Sequence, residues 1–486
     1  MGLEGTPEDH DVPLSMSGTF EGGDGNDGIW VDFNAANADQ FVTVDAGDGD
    51  DRVTVSQVVP NQLGFNNKTH HLESAVRAGD CDDAISVLLR LGDRYETLPG
   101  EGGASSTVHG SDGADTITSE VHSFWSDAGA ENFVYGGDGE DEILAIAWGG
   151  EPSYNRVRGG EGDDRIEMNA VTNSATGDAG NDTISALGSA NHGLAHNDIS
   201  GDEGDDRLEI EARSSTGTAA NSGTGGEGDD WIEMVADSDT GTATNSATGD
   251  AGNDTISVIG RNYGGSSFND ISGGEGNDRL TARMEHTHPN RYADRAVNWV
   301  DGGAGDDRIT GIGIIDRAFD SFSELYGREG DDHITARGGS DNILAGNQGD
   351  DTLRGGGSSD RLIGGQGADS LRGGGGDDEF VFMSPRGSLE ERDRIADFTQ
   401  GRDLIDISAI DANVFRTGNQ AFIFNDLNDF NDFNEATGTG RAWVEEDPDT
   451  NGTLLYADTG RGILVVAIRD GQDMDASDYW AFDFVL

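Results

Sequence analysis

From Gly327 to Val381 single apolar residues recur at a spacing of nine, each set between polar or glycine positions. The stretch reads GREGDDHIT, ARGGSDNIL, a lone Ala345, then GNQGDDTLR, GGGSSDRLI, GGQGADSLR and GGGGDDEFV. The eighth positions are Ile334, Ile343, Leu353, Leu362, Leu371 and Phe380. A polar-apolar-polar triplet is a short strand with one side chain turned inward. The glycines before it permit the left-handed backbone of a tight turn and let carbonyl oxygens crowd one point. Turn, strand, turn, strand, eighteen residues to a coil, predicts a flattened parallel β-roll.

From about residue 18 to 326 the same unit recurs singly. Its copies include GGDGNDGIW (22–30), AGDGDDRVT (46–54), GGDGEDEIL (136–144), GGEGDDRIE (159–167), GDAGNDTIS (177–185) and GGAGDDRIT (302–310). From Asp182 the sixth-position aspartates step by 24, through Asp206, Asp230 and Asp254 to Asp278. A fixed step of that kind is a coil length. Between units runs an Asn-x-apolar-or-small-x-Gly signature, such as Asn197–Gly201 and Asn269–Gly273, which predicts the second strand of each coil. The segment NSATGDAGNDTIS occurs at 173–185 and again at 245–257, an internal duplication that supports stacking of equivalent units. Ile166, Ile184, Leu208, Ile232, Ile256, Leu280 and Ile309 form the expected inward column. Arg165, Arg207, Arg279 and Arg308 before it, with Glu167, Glu209 and Glu233 after it, are expected to make solvated pairs between coils. The steps between Asp51, Asp83 and Asp115 are 32, so Val58 to His71 is expected to bulge as a loop. The fold class is therefore all-β: a right-handed parallel β-solenoid of about 24-residue coils passing into an 18-residue roll with a β-rich cap.

Charge sharpens this picture. Thirty basic residues face 94 acidic ones, a formal −64, which argues against nucleic acid or anionic membrane as a partner. The acids sit at fixed offsets from glycines, and each unit carries its own apolar residue, unlike a disordered acidic tail. The single cysteine, Cys81, replaces a turn glycine and excludes an internal disulfide framework. The start, MGLEGTPEDHD, shows no secretory signal, and the longest apolar run, Ile463 to Ile468, is too short to span a bilayer. An aspartate two residues past the last turn glycine adds a hard anionic oxygen to clustered carbonyls, a donor set suited to Ca²⁺.

The unit G-G-x-G-x-D-x-U-x resembles the calcium-binding repeat of RTX proteins. The resemblance implies multiple Ca²⁺ ions as cofactors. The candidate aspartates are Asp164, Asp182, Asp206, Asp230, Asp254, Asp278 and Asp307, then Asp332, Asp341, Asp351, Asp360, Asp369 and Asp378. Turn positions at Gly346, Gly349, Gly355, Gly356, Gly364, Gly365, Gly367, Gly373, Gly374 and Gly376 complete the set. Each ion is expected between adjacent turns, shared by aspartate carboxylates and carbonyls of two coils. Whether the turns of 22–144 hold metal stays open.

After the roll, Asp393-Arg394-Ile395-Ala396-Asp397-Phe398 and Gly401-Arg402-Asp403-Leu404-Ile405-Asp406-Ile407-Ser408 resemble the C-terminal domain of serralysin-type secreted proteases. Asp483-Phe484-Val485-Leu486 is similar to that family's type I secretion signal. The resemblance implies a bacterial type I exporter as a partner and an extracellular location. Neither the family's protease domain nor any H-E-x-x-H stands in the chain. The expected organisation is a flexible 1–17, a long-coil solenoid over 18–326, a contiguous roll over 327–381 and a cap with secretion signal over 382–486. No catalytic constellation is recognisable: His192 with His196, and His286 with His288, are loop pairs without a third ligand. The expected function is a structural or adhesive, non-enzymatic calcium-binding solenoid. The alternative is a polysaccharide-active lyase or epimerase, with extracellular polysaccharide or a cell surface as partner. Its groove would use His192, Trp231, Asn262-Tyr263 and Arg291-Tyr292.

Overall fold

The computed structural model describes residues 11–14, 18–33, 40–59, 70–91, 102–124, 129–149, 153–286, 295–313, 321–384, 392–412, 420–424, 440–447, 452–460, 462–470, 479 and 483–485. Among these there are strands and turns and no α-helix. The residues form two compact units, 1–250 and 251–486.

In the first unit the alternation of the sequence becomes alternation of burial, as in Gln40–Asp48, where Gln40, Val42, Val44 and Ala46 face inward. Each coil pairs with the next in parallel and in register, so like residues stack on like. Ile29, Val53, Ile85, Ile117, Ile143, Ile166, Ile184, Leu208 and Ile232 make one continuous column. From the facing strands Phe20, Val44, Val76, Val108, Val134 and Val157 make another. Each fully buried Ile or Leu contributes about 1.5–3 kcal/mol, and a core so thin draws on little else.

The coil length is less uniform than the sequence suggests. Successive turn aspartates are separated by 32 residues at Asp51–Asp83 and Asp83–Asp115, but by 18 at Asp164–Asp182. All are single coils, because the aspartates of each pair are hydrogen-bonded neighbours. The far turn absorbs the difference: the short coil passes from Arg165–Ala170 to Thr172–Ala179 with one residue between them. The longer coils run through Thr183–Glu203 and Arg207–Glu227. There the far edge is filled by Ala190, Ala195, Ala212, Ala219, Ala236 and Ala243, small enough for the sheets to converge. Of the expected Val58–His71 bulge, Val58 and His71 themselves lie in strands, and 60–69 fall outside the described residues. Asp11–Leu14 already pair with Gly28–Val31, so regular structure begins before residue 18; 1–10 and 15–17 fall outside the description.

The second unit continues the same design. Ile256, Leu280, Ile309, Ile334, Leu353, Leu371 and Ile395 form its inward column. Beyond Asp332 the coil shortens to 18 or 19 residues, and a glycine turn appears at both edges. One correction falls in this stretch. The extra Ala345 shifts the unit, so Leu344 and Asn342 are fully buried, while Ile343 turns partly outward and Asp341 is exposed.

The cap caps by strand addition. Arg441–Asp447, Gly452–Asp458 and Ile463–Asp470 form an antiparallel meander whose last strand pairs with Asp393–Phe398. Phe484–Val485 pair with Leu404–Asp406, and Tyr479 packs between Phe398 and Phe484.

Candidate metal centre

The turn aspartates are deeply buried, at 0–3% exposure over Asp27–Asp378. Each uses its two oxygens differently. In the first unit the amide of each turn aspartate, from Asp27 to Asp206, donates to Oδ1 of the corresponding aspartate one coil on, at 2.7–2.8 Å. The second unit repeats this from Asp254 through Asp278, Asp307, Asp332, Asp351 and Asp369 to Asp393, at 2.8–3.0 Å. Oδ2 has no protein partner in Asp51, Asp83, Asp115, Asp141, Asp164, Asp182, Asp206, Asp307, Asp332, Asp351, Asp360 and Asp369. A buried acceptor without a donor carries a desolvation penalty, and a charged one carries more.

The residue before many of the column aspartates clamps in the opposite sense. Asp229 N donates back to Asp205 Oδ1 and Asp205 N to Asn181 Oδ1, both at 2.8 Å. Asp331 N reaches Asp306 Oδ1 and Asp350 N reaches Asp331 Oδ1 likewise. Adjacent coils are thus held by two side-chain ladders of opposite direction.

The glycines divide into two kinds. Gly349, Gly356, Gly365, Gly367, Gly374 and Gly376 lie at positive φ, between 99° and 140°, where a side chain would be strained. Gly346, Gly355, Gly364 and Gly373 do not. A Cβ on any of these four would run into Oδ2 of Asp351, Asp360, Asp369 or Asp378 respectively. Carbonyl oxygens crowd the same place: Gly364 O lies 2.7 Å from the Cβ position of Gly346, and Gly373 O 2.7 Å from that of Gly355. The orphan carboxylate oxygen and a carbonyl of the following coil therefore meet over a bare glycine. That cradle suits a hard, oxygen-seeking cation. One side chain per turn is not enough alone, and among the described residues no three His, Cys, Asp or Glu side chains gather as a metal cluster. Backbone carbonyls must supply the remainder, as Ca²⁺ permits.

Burial pushes these carboxyl groups up. Asp51, Asp141, Asp182, Asp230, Asp360 and Asp369 rise to about 6. Asp83, Asp115, Asp164, Asp206, Asp307, Asp351 and Asp378 rise to about 7, and Asp332 and Asp393 to about 8. Desolvation is the main cause, the amide bond to Oδ1 opposes it, and for most of them nearby aspartates add to it. Without a compensating cation the column resists ionisation.

Of the expected residues, all the aspartates except one stand in such columns. Asp341 does not: it is exposed at φ 51°, and Asn342 occupies its place. Asp51, Asp83, Asp115 and Asp141 of the early units, whose metal binding the sequence leaves open, share the geometry of the later ones. Two features went unread in the sequence. Asp393 and Asp403 of the cap extend the two columns, accepting from Asp369 N and Asp378 N at 3.0 Å. The second is a ladder of buried asparagines on the second strands. In the first unit Asn132, Asn155, Asn173, Asn197 and Asn221 each donate from Nδ2 both to the next asparagine's Oδ1 and to a main-chain carbonyl across the core.

The outer faces are plainer. Arg207 pairs with Glu209 of its own strand at 2.7 Å and lays its guanidinium over the Trp231 ring of the next coil, 3.7 Å away. Arg261 with Glu285 is a pair between coils. His192 Nδ1 meets Thr216 Oγ1 at 2.6 Å. The neighbours of His192 and Trp231 on the strand Arg207–Glu227, Thr216 and Arg207, are nine residues apart, so these two groove candidates do not converge. His288, Arg291 and Tyr292 lie outside the described residues. No helix among the described residues is long and apolar enough to cross a membrane.

Parallel coils, glycine turns and stacked aspartates together define an RTX β-roll, a class of domain whose repeats bind calcium. Within that class, residues 112–465 match the family model for the peptidase M10 serralysin C terminal, well over half of the chain. The chain belongs to that family. No curated protein matches its sequence.

Proposed function

We propose that the chain is a secreted, non-enzymatic calcium-binding solenoid with a structural or adhesive role, which folds as ions enter the aspartate columns after export through a type I system. The observation that carries this reading is the file of buried Oδ2 atoms without protein partners, repeated at coil after coil. Asp164, Asp182, Asp206, Asp230, Asp254, Asp278, Asp307, Asp332, Asp351, Asp360, Asp369 and Asp378 would each give one carboxylate oxygen, and turn carbonyls the rest. Calcium supplies the positive charge that lets these groups ionise while buried. The protein's own part is to hold Oδ1 on the preceding coil, so that Oδ2 is aimed and not free to swing away.

Extracellular modules bind Ca²⁺ at about 10⁻⁴ to 10⁻³ M, far above cytosolic levels. Such a chain stays unfolded before export and folds outside. Metal analysis of the purified full chain, dialysed against millimolar Ca²⁺, tests the reading. Many ions per chain are expected; fewer than two would overturn it. Export is tested by removing 483–486. Because Phe484 and Val485 also complete the cap, Phe484→Ala serves as the control that weakens the cap alone. Retention of the truncated chain with export of the point variant supports the signal, and equal export refutes it.

A further inference from the structure

At the second edge of the roll the column reads Ser323, Asn342, Asp360, Asp378 and Asp403, in unbroken parallel register. Asn342 stands next before the aspartates, in an aspartate's pose. Its Oδ1 accepts from Ser323 N at 2.9 Å, as Oδ1 of each column aspartate accepts from the coil before. Where those aspartates carry a second oxygen, Asn342 carries an NH₂ group. Nδ2 donates to Asp360 Oδ1 at 2.7 Å and to Gly338 O at 3.1 Å, with Ser358 Oγ at 3.4 Å. The partners fix the orientation, since an amide N–H needs an oxygen and a carbonyl needs a donor.

We infer that the Asn342 amide takes the place of a cation, so the ion file on this edge begins at Asp360 and cannot run further toward the N-terminus. This rests on the calcium reading above. An aspartate Oδ2 presents a bare acceptor to the cradle, whereas Asn342 Nδ2 presents hydrogens that repel a cation and already bridge the same two coils. Gly338 O and Asp360 Oδ1 are engaged by the amide, and no bare carboxylate oxygen stands at residue 342. The substitution of one atom, O for NH₂, exchanges an ionic bridge for an amide bridge. The asparagine ladder of the long coils is the same solution repeated: amide bridges close that strand, and no ion is required there.

The test is calcium stoichiometry on the full chain, by equilibrium dialysis with elemental analysis, for wild type, Asn342→Asp and Asp360→Asn. Asn342→Asp is expected to bind one more ion than wild type, and Asp360→Asn one fewer. If wild type binds calcium and neither variant changes the count, the inference fails while the calcium reading stands; if wild type binds none, the calcium reading itself fails. Should Asn342→Asp not fold, Asp360→Asn decides alone: loss of one ion supports the amide as a cation substitute, and an unchanged count overturns it.

Discussion

A carboxylate with one oxygen on an amide and the other on nothing is a costly thing to bury, and its chemistry predicts opposite responses to one substitution. Asp332 has the orphan Oδ2 and a carboxyl raised to about 8. In Asp332→Asn the acceptor for Asp307 N remains and the buried charge goes. With chelator the variant should keep its β-type circular dichroism to a higher pH than wild type, because one buried group that ionises as pH rises is gone; in saturating Ca²⁺ it should be less stable, by about 1–3 kcal/mol. The pH midpoint in chelator and the urea midpoint in Ca²⁺ check the change of sign. At the glycines the expectation is simpler. Gly349 has φ 126° and its Cβ would run into Gly330 O, so Gly349→Ala should cost about 1–3 kcal/mol of calcium-bound stability through strain alone, read from the same midpoints.

At the scale of strands and turns, the ladders hold register where the thin core cannot. Asn221 Nδ2 bonds Val235 O at 2.8 Å and Asn245 Oδ1 at 2.9 Å, and its Oδ1 accepts from Asn197. Asn221→Ala leaves buried partners unsatisfied and should lower stability by about 1–3 kcal/mol, with calcium stoichiometry unchanged. Thermal unfolding in excess Ca²⁺ measures the first and metal analysis the second. The period of nine made the aspartate and isoleucine columns legible, because a parallel coil places each residue on its own equivalent. Asp341 was misplaced because the extra Ala345 admits two alignments, and only packing shows that Leu344, not Ile343, is the inward residue. The asparagine ladder was visible as a recurring letter but not as a structure, since asparagine is as common in turns. Asp393 and Asp403 hid inside the cap motif: nothing local says that a strand from another element takes the next place in a column.

For the whole molecule, the raised carboxyls couple folding to protons in a definite direction. An unfolded aspartate titrates near 3.9, and the column groups rise to about 6 to 8 when folded without metal. Protonation therefore favours the fold: this stabilisation is full below about pH 4 and is lost as pH rises through 6 to 8. In chelator, β-type circular dichroism should be stronger at pH 5 than at pH 7.5; an equal or weaker signal at pH 5 would contradict the assignment. With calcium present the trend inverts, because the ion and the proton compete for the same Oδ2. The most direct test of the central claim is circular dichroism of the purified full chain at pH 7.5 in EDTA, then titrated with Ca²⁺. The account predicts an unfolded spectrum in EDTA and a cooperative gain of β-structure as Ca²⁺ reaches about 10⁻⁴ to 10⁻³ M; a compact, cooperatively melting protein in EDTA with no bound metal would contradict it.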